Sequence, residues 1–178
     1  KAFCTGGDQS AHEGQYDGRG TIGLPMEELH AAIRDAPKPV IARVQGYAIG
    51  GGNVLCTLCD LTIASDKAVF GQVESMRVVP ARARYSAAEA LAMSLVNAVV
   101  PHGQLDAEVQ RWCDEIAERS PTAIAIAKRS FNMDTAHQAG IAGMGLYALK
   151  LYYDTEESRE GVRAFNEKRA PEFRLHAK

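Results

Sequence analysis

The chain has 178 residues, of which 46% are hydrophobic, and its formal net charge at pH 7 is −2. This size and composition suffice for one globular domain with a core, and they exclude a disordered chain. Acidic and basic residues are interspersed, without the basic stripe that nucleic acid needs or the polybasic run that an anionic membrane attracts. No apolar run is long enough to span a bilayer. A small-molecule partner and a cytoplasmic location are therefore predicted, with neither nucleic acid nor membrane as a partner.

The N-terminal half alternates between helical and strand-like segments. A helix is predicted first, because Met26, Leu29 and Ile33 recur at helical spacing before Pro37 ends the pattern. The next predicted elements are a strand at residues 39–44, a helix at 53–59 and a buried strand at 61–64. A strand, a helix and a second strand imply a parallel pair with a crossover, hence α/β architecture.

The C-terminal half is mostly helical. Ser86 and Glu89 form a capping box that opens a helix to about Ser94. No linker interrupts the chain, so we predict one domain, with a core over residues 1–101 and a helical C-terminal portion over 102–178. The core is predicted to close with a strand at 98–100. The C-terminal portion is predicted to form helices along Leu105 to Ile116, after Ser120, from His137 to Tyr153 and from Thr155 to about Lys168.

The four cysteines are Cys4, Cys56, Cys59 and Cys113. Only Cys56 and Cys59 have a spacing typical of metal or redox sites, and no second Cys/His pair follows at a ligand-like distance. We interpret them as small buried hydrophobes, so no metal site is predicted. Scattered free thiols also favour a reducing compartment.

Two glycine-rich turns, Thr5-Gly6-Gly7-Asp8 and Gly50-Gly51-Gly52, carry the main chemical signal. The second lies between a strand and a helix start, where backbone N–H groups lack intrahelical partners and the helix dipole is positive. Nucleotide phosphate binding is one alternative, but the motifs of a P-loop and of Gly-x-Gly-x-x-Gly are missing from the second turn. Close packing of helix on sheet is the other. One N–H from each turn would form an oxyanion hole.

Several motifs together resemble the crotonase (enoyl-CoA hydratase/isomerase) superfamily, whose members bind acyl-CoA thioesters. They are residues 1–9, 46–52, 59–64 and 70–72. The resemblance implies a crotonase-like ββα spiral core with a helical C-terminal trimerisation portion, and a homotrimer or homohexamer. It also implies that Gly7 and Gly51 are the oxyanion-hole donors, and that no cofactor is needed beyond the coenzyme A of the substrate.

Within the superfamily, the residue two positions after the last glycine of the triplet is a glutamate in hydratases. Val54 occupies that position and cannot act as an acid or base, which disfavours water addition to an enoyl-CoA. Residues 43–49, 128–134 and 136–143 resemble 2-ketocyclohexanecarboxyl-CoA hydrolase, and the same branch contains 1,4-dihydroxy-2-naphthoyl-CoA synthase. The first activity, hydrolytic ring opening to pimeloyl-CoA, is the leading hypothesis. The synthase, a hydratase/isomerase-like protein and a non-catalytic acyl-CoA-binding subunit remain alternatives.

The resemblance further assigns proton transfer to Tyr153 and contact with the CoA phosphates to Lys168, although a core aromatic and a solvated cation are the plainer interpretations. It places substrate contacts at Thr5, Gly6, Asp8, Gln9, Tyr16, Tyr47, Ala48, Ile49 and Gly50.

The family pattern is interrupted after Val73. A few dozen family residues, including the catalytic Asp of this branch, have no counterpart before Tyr85. They are either omitted from the chain or truly deleted. Glu74 falls where hydratases place a second catalytic glutamate, and a buried carboxylate there would have a raised pKa suited to a base. If residues are missing just before it, Glu74 is a surface residue instead.

Overall fold

A computed structural model describes residues 1–6, 26–72, 84–138, 144, 145, 148 and 151–176. These residues fall into two compact units. The first contains residues 1–6 and 29–134, and the second contains the described residues among 7–28 and 135–176. Within the described residues, no helix is long and apolar enough to cross a membrane.

The helices whose bounds lie within the described residues are α1 (Met26–Asp35), α2 (Gly51–Leu58), α3 (Ala87–Ala92), α4 (Leu105–Ala117), α5 (Pro121–Asp134) and α6 (Glu156–Glu167). Residues 144, 145, 148 and 151–153 are also helical. The strands in this part of the chain are β1 (Ile41–Val44), β2 (Tyr47–Ile49), β3 (Leu61–Ser65), β4 (Val69–Gly71), β5 (Tyr85–Ser86) and β6 (Ala98–Val100). Short 3₁₀ turns lie at His102–Gln104, Ala136–Gln138 and Phe173–Leu175.

The strands of the first unit form two small sheets. One has the order β1-β3-β6 and is parallel throughout, and its register pairs Ile41 with Leu61 and Val44 with Ala64. The other has the order β2-β4-β5, with a parallel and an antiparallel pair. Between β1 and β3 the chain passes through β2 and α2, so the predicted α/β crossover is confirmed as a ββα turn of chain.

The core lies beneath these sheets and against α2 and α3. Its largest fully buried side chains include Phe70, Ile63 and Val44, from three different strands. Cys56 is also buried in this cluster, while Cys59 packs at its edge. Burial raises the pKa of the Cys56 thiol to about 12 and also raises the pKa of Cys59. These shifts support the interpretation of the pair as packed hydrophobes.

Helix ends follow the predicted capping chemistry closely. The Glu89 N–H donates to Ser86 Oγ at 3.2 Å, and the Ser86 N–H donates to Glu89 Oε2 at 2.8 Å, which completes the capping box. The helix ends at Ala92, two residues before the predicted end, because Ser94 adopts a φ of 59°. Thr155 caps α6 as predicted, accepting from the Ser158 N–H at 3.2 Å.

A buried lysine joins three segments of the first unit. Lys128 Nζ in α5 donates to the carbonyl oxygens of Ile33 at 2.8 Å and Lys38 at 3.1 Å, and to Asp60 Oδ2 at 2.8 Å. These acceptors use all three hydrogens of the ammonium group. Asp60 Oδ2 also accepts from the Val40 N–H at 2.7 Å, so the same pair aligns the start of β1. Lys128 therefore fixes the end of α1, the start of β1 and the α2–β3 connection.

Replacing Lys128 by methionine should lower the free energy of unfolding by about 3 kcal/mol, because the partly buried Asp60 carboxylate loses its counter-charge. Urea unfolding followed by circular dichroism measures this loss. The neighbouring Arg129 is exposed, so R129A is the matched control and should change stability by less than about 0.5 kcal/mol. Equal midpoints for the two variants would contradict the anchoring role of Lys128.

Candidate active site

The N-terminal segment runs beside β2 as a short parallel partner. Cys4 forms a bridge with Ala48. The Ile49 N–H donates to the Cys4 carbonyl at 3.0 Å, and the Phe3 N–H donates to the Tyr47 carbonyl at 2.9 Å. The first glycine turn begins immediately after this bridge, so the pairing brings it to the end of β2.

Two glycines allow this segment to approach so closely. A Cβ on Gly52 would lie 1.9 Å from the Cys4 carbonyl oxygen, and one on Gly46 would lie 1.8 Å from the Lys1 carbonyl oxygen. Neither distance is compatible with any side chain. Gly52 therefore has a packing role, because it admits the Cys4 carbonyl, in addition to any role in ligand binding.

The second turn places Gly51 at the first position of α2. Gly50 has a φ of 55° and a ψ of −121°, a conformation that favours glycine, and its N–H donates to the Gly71 carbonyl at 2.9 Å. The Gly51 N–H has no intrahelical acceptor at that position, and it donates no hydrogen bond to another described residue. The first turn of α2 contains no acidic residue, so nothing there offsets the positive end of the helix dipole.

Gly6, in the first glycine turn, lies close to Gly51 in the second. A Cβ on Gly51 would lie 3.7 Å from the Gly6 Cα, an ordinary contact distance. Gly6 has a φ of 95°, again in the region that glycine favours. The predicted juxtaposition of the turns is thus present up to Gly6.

The predicted site residues divide by where they lie. Outside the described residues are Gly7, Asp8, Gln9, Tyr16 and Glu74. Thr5 and Tyr47 are exposed, and Ile49 and Gly51 are half-buried. Ala48 is fully buried in the core, so its side chain is unavailable to a ligand and only its backbone could contribute.

Asn53 is a polar residue of the site that the sequence analysis did not single out. It lies in the first turn of α2, only 6% exposed, and its Nδ2 donates to Gln72 Oε1 at 3.1 Å. Its Oδ1 has no hydrogen-bond partner among the described residues. The detectable signal was an amide directly after the glycine triplet in an otherwise apolar helix. Val54, the next residue, is half-buried and brings no titratable group.

Tyr153 and Lys168 lie in the second unit. The Tyr153 ring is half-buried beside that of Tyr152, with centroids 6.1 Å apart. The Tyr152 carbonyl accepts from the Thr155 N–H at 3.0 Å, which ties this aromatic pair to the cap of α6.

Lys168 ends α6 in the left-handed conformation, with a φ of 55° and a ψ of 36°. Such a position favours glycine, so the lysine is held there at some conformational cost. Its neighbour Arg169 donates to both oxygens of Glu160, at 3.0 Å to Oε2, and its pairing lowers the pKa of Glu160 to about 2. Arg169 is therefore engaged in an ion pair within the unit, whereas Lys168 forms no ion pair with another described residue.

In the described part of the chain, no group of three or more His, Cys, Asp or Glu side chains could hold a metal ion.

The fold and the paired glycine turns define a crotonase-like α/β protein, and comparisons with known proteins agree. The family model described as enoyl-CoA hydratase/isomerase matches residues 1–76 and 71–176. The two matched ranges overlap at residues 71–76, the region where the family pattern in the sequence is interrupted. The chain belongs to the enoyl-CoA hydratase/isomerase family, a group of acyl-CoA-processing enzymes.

Solved structures show the same relationship. An enoyl-CoA hydratase from Mycobacterium avium subsp. paratuberculosis K-10 is 29% identical, with a TM-score of 0.73 over 83% of this chain and 70% of that one. Methylmalonyl-CoA decarboxylase in complex with 2-nitronate-propionyl-CoA is 26% identical, with a TM-score of 0.69 over 90% and 72%. An enoyl-CoA hydratase from Bacillus anthracis is 28% identical, with a TM-score of 0.66 over 96% and 76%.

Replacing Gly52 by alanine should destabilise the protein by at least about 1–3 kcal/mol, since the new Cβ meets a backbone oxygen that cannot rotate away. Differential scanning calorimetry measures the fall in melting temperature. Gly103 has no heavy atom within 4 Å of its Cβ position, so G103A is the control that should melt like the wild type. A G52A protein with unchanged melting temperature would disprove the close approach of Cys4.

Proposed function

We propose that this protein stabilises the enolate of an acyl-CoA thioester and catalyses the hydrolytic ring opening of 2-ketocyclohexanecarboxyl-CoA to pimeloyl-CoA. The observation that supports it is the close approach of Gly6 to Gly51, whose N–H lies at the positive end of α2 and donates to no other described residue. Preorganised N–H donors of this kind favour the charge that develops on a thioester oxygen.

The proposed reaction is a retro-Claisen cleavage. Water adds to the ring ketone, and the bond between the former ketone carbon and the α-carbon breaks. The electron pair moves onto the thioester as an enolate, whose oxygen accepts hydrogen bonds from the N–H groups of Gly51 and Gly7. A proton then returns to the α-carbon, so one water is consumed and one carboxylic acid is formed. We assign proton transfer to Tyr153 and, secondarily, to Glu74.

Val54 favours this reaction over hydration of an enoyl-CoA. Hydratases need a carboxylate at that helix position to activate water, and a valine can neither donate nor accept a proton. An oxyanion hole without that carboxylate can still support carbon–carbon bond cleavage, because the leaving group of that reaction is the enolate that the hole stabilises.

The CoA moiety is proposed to contact Lys168, whose side chain extends from the end of α6. The acyl-CoA path is proposed to include Thr5, Gly6, Asp8, Gln9, Tyr16, Tyr47, Ile49, Gly50 and the backbone of Ala48. We further propose a homotrimer or homohexamer as the working assembly.

Incubation of the purified protein with 2-ketocyclohexanecarboxyl-CoA should yield pimeloyl-CoA, detected by mass spectrometry. Replacing Gly51 by proline should lower kcat by about 100-fold or more, because the N–H is lost while the first helix position tolerates proline. G51A is the matched control: it keeps the donor, and its Cβ lies at an ordinary distance from Gly6. Its loss should be at least about tenfold smaller than that of G51P.

Two results would count against the proposal. A folded wild-type protein that fails to turn over the substrate excludes this activity. Equal rates for wild type and G51P exclude the oxyanion role of Gly51 whatever the substrate.

Lys168 can be tested with three substitutions that separate its backbone from its side chain. K168G should raise the melting temperature, because glycine adopts the left-handed conformation of this position without the steric cost that a lysine bears. The same variant should raise KM for the CoA substrate, as K168A should, while K168R should restore KM. Steady-state kinetics and calorimetry measure both effects. Unchanged KM in K168G and K168A would make Lys168 a solvated cation only.

A further inference from the structure

We infer that Asn53 is a positioning residue, which aligns the Gly51 N–H by joining the first turn of α2 to the end of β4 through Gln72. This inference rests on the proposed function, since it assigns a task to the helix turn that forms the proposed oxyanion hole.

The first ground for it is the pattern of contacts around Gly51. The Gly50 N–H donates to the Gly71 carbonyl at 2.9 Å, and Asn53 Nδ2 donates to Gln72 Oε1 at 3.1 Å. Residues on either side of Gly51 are thus held by consecutive residues at the end of β4. Two attachments fix the direction of the intervening peptide far better than one, and an oxyanion donor depends on its direction.

The second ground is the cost of placing an amide there. Asn53 is only 6% exposed, yet its Oδ1 has no hydrogen-bond partner among the described residues. A buried acceptor without a hydrogen bond costs about 1–3 kcal/mol. Leucine has the same branched shape, although it is larger, and it would bury without an unsatisfied acceptor. The amide therefore contributes little net stability, and its hydrogen bond to Gln72, the one it makes to another described side chain, is what a leucine could not supply.

The third ground is electrostatic. Asn53 is neutral, and the first turn of α2 holds no acidic residue. An aspartate could still pair with the Gln72 amide, but its negative charge would oppose an enolate at the same helix terminus. A neutral amide provides the attachment without weakening the field that the enolate needs.

The test uses 2-nitronate-propionyl-CoA as the enolate mimic and free CoA as the control ligand, with titration calorimetry on the full-length protein. N53L and Q72L should each weaken binding of the nitronate by about tenfold, equal to about 1.4 kcal/mol, with CoA affinity unchanged. The unfolding midpoint of N53L should be equal to or above that of the wild type. N53D should weaken nitronate binding more than N53L does.

Two further variants sharpen the test. The exchange N53Q/Q72N keeps both amides and should recover nitronate affinity to within about threefold of wild type. T57A is the matched control, because Thr57 lies on the same helix with Oγ1 bound to the Val54 carbonyl at 2.8 Å, but is exposed. It should bind both ligands as the wild type does.

The outcomes separate the inference from the proposed function. Wild-type protein that binds the nitronate no more tightly than CoA would overturn the oxyanion hole and this inference with it. Tight wild-type binding that N53L and Q72L leave unchanged would overturn the inference alone. So would a parallel loss of CoA affinity and stability, which marks a purely structural amide. Gln72 is only half-buried, so Q72L provides the answer even if N53L does not fold.

Discussion

The contact between the Cys4 carbonyl and the backbone of Gly52 is the constraint on which the site depends. A side chain at position 52 would fill the space that this carbonyl occupies. With the glycine, the N-terminal segment pairs with β2, and Gly6 reaches the start of α2. Without this glycine, Gly6 could not reach the start of α2, and the Gly51 N–H would lack the neighbouring backbone of the first turn.

Helix α2 is held in place at both ends, by different sets of contacts. At its start, β4 holds Gly50 and Asn53, and the N-terminal segment lies against Gly52. Just beyond its end, Asp60 is held by the buried ammonium of Lys128 and by the Val40 N–H. A helix of eight residues has little stability of its own, so these attachments, and not its helical propensity, determine where its terminus points.

Much of this arrangement could be predicted from the sequence, and the failures have physical causes. The β1–α2–β3 crossover, the Ser86 capping box and the Thr155 cap follow from short-range patterns. The strand β2 could not be predicted in this way. Its three residues lie between two glycines and resemble a turn, and they become a strand only through pairing with β4 and Cys4. The start of α2 at Gly51 was also missed, since glycine is a poor helix former whose place there depends on tertiary packing. The Asn53–Gln72 contact joins residues 19 positions apart, beyond any local pattern.

The buried thiol of Cys56 has a consequence for a protein that handles thioesters. A thiolate is the species that attacks a thioester, and the exchange would transfer the acyl group from coenzyme A to the protein. Burial raises the pKa of Cys56 to about 12, so at neutral pH this sulfur, on the buried face of α2, stays protonated and unreactive. Self-acylation, which would inactivate such an enzyme one molecule at a time, is suppressed at this position by the same packing that forms the core.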